Sequence, residues 1–437
     1  MIMKRRSFLK STGLFLAGAP YLLGQNNGAK FRTALIGCGW WGKNILKEAV
    51  ASKRCQIVAL CDVDGDGLEV AADQVNSWNG DSPKTYKDHR ELLEKEKPDV
   101  VIIATPDHWH ALQTIDALKA GAHVFVEKPT GHTVNESRAM FKAARDSGKV
   151  VQVGLHRRIG PHHVSAMNFL KSGKVGQVGM VRLFADSGGG HENPQPNSAP
   201  PKSMDWERWC GPAPLRPFNR KLHPGGWRNF LDYANGTLGD WGVHWLDQVL
   251  WWTEEKYPKR IFCTGGRQVA GEPVLNDKEQ TTDAPDHQVA TYEFEKFTCI
   301  WEHRKFAANA TEKHSIGAYF YGTNGILHIG WRDGWTFYPS NNREAQIHEN
   351  SQLQEPDGHN LALLWADFMD AVEQKRPAVA RIELAHRSSV LPLLGMISWR
   401  AGRSIEWDGD KEQIVNDPKA SELLQRPYRA PWKYPEV

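Results

Sequence analysis

No CxxC pair occurs in the sequence; its six cysteines stand at 38, 55, 61, 210, 263 and 299. That spacing excludes a cysteine metal knuckle. Cys38 sits inside a glycine turn that a disulfide would hinder, so mostly free thiols are expected. An excess of charge of either sign is also missing: 54 Lys and Arg face 51 Asp and Glu, for a net +3. Nothing in that balance points to nucleic acid or a membrane surface as a partner. A membrane-length apolar run is absent too, since Ser11–Gly24 is short and broken by Pro20. His156, His162 and His163 have no carboxylate at ligand spacing, so no metal is expected.

Tryptophan, by contrast, is abundant: 18 residues in 437. Most are read as core filler. Some suit a sugar site, because an indole offers a flat apolar face and an N–H at its edge. The start, "MIMKRRSFLKSTGLFLAGAPYLLG", has a basic segment followed by a short apolar one, as an export signal does. "RRSFLK" matches the twin-arginine pattern, which sets residues 1–29 apart as a signal segment and implies export to the periplasm, with no stable membrane insertion afterwards.

The next stretch reads as a nucleotide cradle. Phe31–Ile36 is expected to be a strand and Lys43–Val50 a helix, with Gly37, Gly39 and Gly42 spaced GxGxxG between them. Glycines there permit a tight turn and bring backbone N–H groups to a pyrophosphate at the helix N-terminus. A second strand, Gln56–Cys61, ends in Asp62, 20 residues beyond Gly42. A carboxylate at that place binds the adenosine ribose and repels a 2′-phosphate, favouring NAD over NADP. The alternation continues through a helix at Leu68–Ser77, "KPDVVIIATP" as a strand, His110–Ala120 as a helix, "HVFVEKP" as a strand, Val134–Ser147 as a helix and "KVVQVG" as the sixth strand. That rhythm predicts a Rossmann-type, doubly wound parallel sheet over 30–155. Its carboxyl-end loops would be "ATPDHWH", "EKPT" and "GLHRR". After Arg158 the rhythm changes to strand-like runs and Pro/Gly-rich loops, predicting an α+β domain over 156–437 with a large, mostly antiparallel, open-faced sheet. Two late helices are expected near 360–374 and 383–402.

"GDWGVHWLD" (Gly239–Asp247) reads as an apolar helix carrying Asp240, His244 and Asp247 at i, i+4 and i+7, one stripe on one face. Together with GxGxxG, "TPDHWH" and "EKP", its D-x-x-x-H-x-x-D resembles the Gfo/Idh/MocA oxidoreductase family over nearly everything after residue 30. "MDWERWCGPAP", "HPGGWRNF" and "GTLGDWGVHWLD" resemble its exported branch. The resemblance implies a catalytic Lys128, Asp240 and His244. In chemical terms His244 is suited to act as acid/base, Asp240 to orient it or hold a neighbouring hydroxyl, and Lys128 to stabilise a developing alkoxide. Asp247 is read as structural. Cofactor contacts are expected from Gly37, Gly39, Trp41, Gly42, Asp62, Thr105, Pro106, Asp107, His110, Glu127 and Lys128. His110 reads equally well as the polar start of a helix. Substrate contacts are expected from His156, Arg157, His223 and Arg228.

The expected activity is an exported NAD-dependent oxidoreductase that moves hydride between a sugar, polyol or glycoside carbinol and a tightly held cofactor. An NAD-dependent glycosidase working by transient oxidation, elimination and re-reduction is the alternative, and a non-catalytic sensor a third. Exposed apolar faces rarely stay bare, so the open sheet suggests a homo-oligomer, dimer or tetramer.

Overall fold

The computed structural model describes residues 30–436, apart from 254, 310, 354 and 355. Residues 1–29, where a signal segment is expected, lie outside the described residues. Strands Phe31–Ile36, Cys55–Cys61, Lys84–Tyr86, Val100–Ile103, His123–Val126 and Val151–Val153 form one sheet in the order 3-2-1-4-5-6. Every pairing in it is parallel. Val100–Ile103 is buried along its whole length, as a strand covered by helices on both faces must be. The order reverses between the first and fourth strands, and ligands bind outside the carboxyl ends at such a switch point. The short strand Lys84–Tyr86 and the helix His89–Glu96 are additions to the expected elements. Three residues carry no period, and that helix buries only Leu92 and Leu93 among apolar side chains.

Ten strands form the second sheet. Its long members pair antiparallel, except that Val178–Asp186 runs parallel to Thr298–Arg304. Arg260–Gly266 and His287–Glu293 alternate buried and exposed positions, the mark of a sheet covered on one face. The covered face packs Ile261, Ala290, Tyr292 and Trp301 against Trp245 and Val249 of helix Val243–Trp252 and Val390 and Leu394 of helix Ile382–Ala401. The other face leaves Phe262 and Val289 exposed.

Both late helices are present, but the earlier one crosses back to the first domain. Helix Pro356–Gln374 places Leu361, Leu364, Trp365 and Phe368 in the core of the parallel sheet, with Trp365 and Phe368 against Phe125. This return clamps the two domains together and forms part of the wall of the cleft between them. Among the described residues no helix is long and apolar enough to cross a membrane. All six cysteines are free and buried.

Candidate active site

The glycine turn does what its spacing implies. Gly37 has φ +95°, and a Cβ there would lie 2.7 Å from the carbonyl carbon of Ala104 on the neighbouring strand's loop. A Cβ on Gly42 would lie 2.0 Å from the Gly37 oxygen, so Gly42 sets how closely helix Trp40–Ala51 packs on the turn rather than lining a cavity. Gly39 caps that helix without a side-chain hydrogen bond and faces open space. The first-turn N–H groups are thus left to an anionic ligand. Asp62 accepts hydrogen bonds from the backbone N–H groups of Cys38 (2.6 Å) and Asp64 (2.9 Å). Burial pushes its carboxyl up against those bonds.

Around this turn lies a cavity of about 340 Å³, lined by Gly37, Gly39, Trp41, Asp62, Thr105 and Pro106. The expected cofactor residues therefore fit an NAD dinucleotide: a turn no Cβ would allow, an uncapped helix start and a ribose-binding carboxylate. The second domain closes the cavity with Trp209, His223 and Trp227, and the C-terminal tail with Trp432. The tail is held there by Arg429, which donates to the carbonyls of Glu207 (2.8 Å) and Gly211 (3.1 Å), and by Trp432 edge-on to Trp109 at 4.8 Å.

A second cavity, about 1260 Å³, opens from the first across the shared residues Trp41, Ala104, Thr105, Trp227 and Arg228. Lys128, Asp240 and His244 all line it, as do Asp107, His110, Glu127 and His156. Lys128 follows the buried strand His123–Val126. Its Nζ donates to the Asp240 backbone oxygen at 3.0 Å and, over a short bond, to the Asp240 carboxylate. Arg228 Nε lies 3.6 Å from the same carboxylate. Burial works against the charge on Asp240, but Lys128 and Arg228 prevail and hold its carboxyl below the usual range. Glu127 accepts from Trp41 Nε1 at 2.7 Å, and Gly154 makes room for it, since a Cβ there would lie 2.3 Å from the Glu127 carboxylate.

The helix of the sequence reading is interrupted at the site. Leu238–Gly242 is a π-turn that runs into helix Val243–Trp252, an irregularity that recurs at functional positions. A Cβ on Gly239 would lie 2.6 Å from Asn235 Cβ, so this crowded turn requires glycine. Each polar residue of the stripe meets a different partner. Asp240 holds Lys128, whereas no hydrogen bond joins it to His244 among the described residues. The expectation that Asp240 orients the imidazole is therefore corrected: the nearer cation captures the carboxylate. His244 instead packs edge-on to His156 (5.4 Å) and Trp331 (5.2 Å). Burial, then the charges of Lys128, His156 and Arg157, drives it well below the ordinary histidine range. It is neutral at physiological pH, so one ring nitrogen carries a free lone pair. Asp247 is structural, paired with Arg158.

Two substrate expectations change, and His110, which lines the large cleft, also has a structural tie. Arg157 is buried behind the cleft: its guanidinium lies 3.4 Å above the Trp331 ring and donates to the Trp331 carbonyl at 3.0 Å. It holds the wall rather than a substrate. His223 lines the nucleotide cavity, against Trp209 at 5.8 Å, and not the larger one. His110 is in the first turns of helix Asp107–Lys119, with its ring nitrogens 2.8 Å from the carbonyl oxygens of Pro129 and Thr105. It ties two site loops together. His156 and Arg228 do line the large cleft. Sequence reasoning missed Trp331, which touches His156, His244, Trp241 and Arg157. It follows strand Gly325–Gly330, and only the tryptophan excess hinted at such a residue.

Asp107 has a property its sequence position did not suggest. Burial, opposed by Lys128 and reinforced by Asp240, pushes its carboxyl up to about 8. Below that pH it is neutral; above it, a second negative charge appears beside Lys128 and offsets the cation that an alkoxide needs. Oxidative kcat/KM is expected to fall as pH rises through about 8. Asp107→Asn should remove that limb from the pH–rate profile while leaving the rate at pH 7 within roughly tenfold of wild type.

Comparison with known proteins matches this geometry. Residues 31–155 match the sequence profile of the Gfo/Idh/MocA oxidoreductase family, NAD-binding Rossmann fold, and residues 177–434 match that of its C-terminal alpha/beta domain. A D-glucoside 3-dehydrogenase of Escherichia coli (strain K12) is 23% identical over 366 residues, spanning 80% of this chain and 90% of that protein. A glycosyl hydrolase family 109 protein of Stenotrophomonas maltophilia (strain K279a) is 36% identical over 154 residues, only 33% of this chain and 34% of that protein. Among solved structures, a levoglucosan dehydrogenase in complex with NADH and levoglucosan shares the fold, with a TM-score of 0.67 at 19% identity over 86% of this chain and 99% of that one. With its glycine turn, its lysine–aspartate pair and both sequence domains matched, the chain belongs to the Gfo/Idh/MocA family of NAD-binding oxidoreductases.

Proposed function

We propose that this protein is an exported oxidoreductase that transfers hydride between a sugar, polyol or glycoside carbinol and a tightly held NAD. The observation that carries the reading is the convergence of Lys128, Asp240 and His244 in a cleft continuous with the nucleotide cavity. When bound, the nicotinamide supplies the hydride acceptor. Lys128, fixed by Asp240, presents positive charge where an alkoxide develops. His244, neutral and buried, takes the hydroxyl proton. Trp41, Trp241 and Trp331 offer indole faces for the apolar side of a sugar ring and exclude water from it. The named relatives that act on a glucoside and on levoglucosan support this substrate class.

The cap of Trp209, His223, Trp227 and Trp432 over its cavity supports tight retention of the cofactor. It suits a protein folded before export, as "RRSFLK" implies, because a periplasm is not expected to supply free NAD. The sheet face bearing Phe262 and Val289 is proposed as the oligomer contact, in a dimer or tetramer.

The glycosidase alternative has the family 109 relative in its favour. Against it, His223, which carries the sequence likeness to those enzymes, lies at the nucleotide end. Incubation with aryl glycosides separates the two readings. The dehydrogenase reading predicts stoichiometric cofactor reduction in a single turnover with the aglycone still attached. Catalytic aglycone release with no net change at the reduced-nicotinamide absorbance would replace it with the glycosidase.

A further inference from the structure

The hairpin of strands Ile316–Gly322 and Gly325–Gly330 carries a cluster that hydride transfer does not use. His314 stands just before the first strand, His328 lies on the second opposite Tyr319, and Asp333 follows in the next turn. One nitrogen of each imidazole and one carboxylate oxygen of Asp333 all lie within 4.8 Å of one another. His314 Nδ1 is 2.8 Å from Asp333 Oδ2, and the two rings stack at 3.7 Å. His328 is only 2% exposed, and its Nε2 has no hydrogen-bond partner among the described residues; His314 Nε2 is likewise enclosed without one. Buried polar atoms of this kind call for a reason. Gly317, on the facing strand, keeps space beside them, since a Cβ there would lie 2.9 Å from His328 Nε2. Lys313, beside His314 in sequence, directs its amine to the Tyr338 hydroxyl at 3.1 Å, and Arg332 precedes Asp333 on the wall of the same cleft.

We propose that His314, His328 and Asp333 bind one divalent transition-metal ion of the zinc class. Two imidazoles and a carboxylate suit that ion, whereas magnesium and calcium favour all-oxygen shells. Three protein ligands leave a coordination position open. His314 and Asp333 line the large cleft with Trp331 and His244, so a water or a hydroxyl-bearing ligand completes the shell from that side. No metal is expected from His156, His162 and His163, which lie close together in the sequence without a carboxylate at ligand spacing. Here a hairpin brings together residues spaced 14 and 5 apart.

The test uses the full-length protein with its nucleotide, stripped of metal by dialysis against a chelator and titrated with Zn²⁺ alone. Metal content is measured after equilibrium dialysis. One Zn²⁺ per chain is expected, with affinity reduced on the order of 30-fold or more in both His328→Gln and Asp333→Asn. Zn²⁺ should also raise the Tm of the wild type and not that of Asp333→Asn. Asp333 is half exposed, so its variant keeps the comparison intact if His328→Gln fails to fold. No Zn²⁺ bound by the wild type, or wild-type affinity in either folded variant, overturns the proposal.

Discussion

Lys128→Ala should abolish most turnover while leaving the nucleotide in place. Lys128 is the residue that brings the carboxyl end of the parallel sheet and the π-turn together. Its ammonium is shared between the Asp240 carboxylate and backbone oxygen, with Asp107 close by. Of the cations that line this cleft, Lys128 is the one bonded to both the carboxylate and the backbone oxygen of Asp240, while Arg228 Nε lies 3.6 Å from that carboxylate. Removing such a preorganised charge costs about 10³-fold in kcat, or roughly 4 kcal/mol. His244→Ala should cost about 10²–10⁴-fold by removing the proton acceptor. The stability cost of Lys128→Ala is smaller, because the pair is partly open to solvent at 14% and 22% exposure and is screened there. Single-turnover hydride transfer, measured beside bound-nucleotide content, checks this. Turnover unchanged in both variants would remove these residues from the chemistry.

Asp247→Ala is expected to do the reverse: little to the chemistry, much to the fold. Three residues beyond His244, Asp247 accepts two bonds from Arg158 Nε (3.0 and 2.8 Å), one from Nη2 (2.8 Å) and one from the Ser388 hydroxyl at 2.5 Å. Both members of the ion pair are buried, at 6% and 2% exposure. Truncating the acid leaves a guanidinium in the core with no compensating charge, a loss of about 3–5 kcal/mol. The Tm should fall by roughly 3–6 °C. Replacing both partners, Arg158→Met with Asp247→Leu, should recover most of it, because a matched apolar pair avoids the desolvation cost. A Tm within 1–2 °C of wild type for Asp247→Ala alone would contradict this assignment.

These two aspartates show what the sequence made legible. The D-x-x-x-H-x-x-D spacing located a polar stripe, and the motif resemblance pointed to its first two members. The partners were not legible. Lys128 and Asp240 are 112 residues apart, and Arg158 and Asp247 are 89 apart, so only the folded chain shows which cation each carboxylate receives. The π-turn at Leu238–Gly242 was hidden as well, because it departs from the 3.6-residue period that reveals helices. The glycine turn and Asp62 could be placed because their chemistry is local: each acts through the backbone within a strand–turn–helix unit. Arg157 was misassigned for the opposite reason. Its neighbour Arg158 turns to Asp247, and the residue that holds Arg157, Trp331, lies 174 positions away. The return of helix Pro356–Gln374 to the first domain's core was equally invisible, since its apolar face fits either sheet.

The most direct test is the content of the nucleotide cavity. Full-length protein, purified without added nucleotide and then denatured, should release about one NAD per chain, identified by mass spectrometry. A protein that releases none, and takes up neither NAD nor NADP at saturating concentration, would contradict the account at its base.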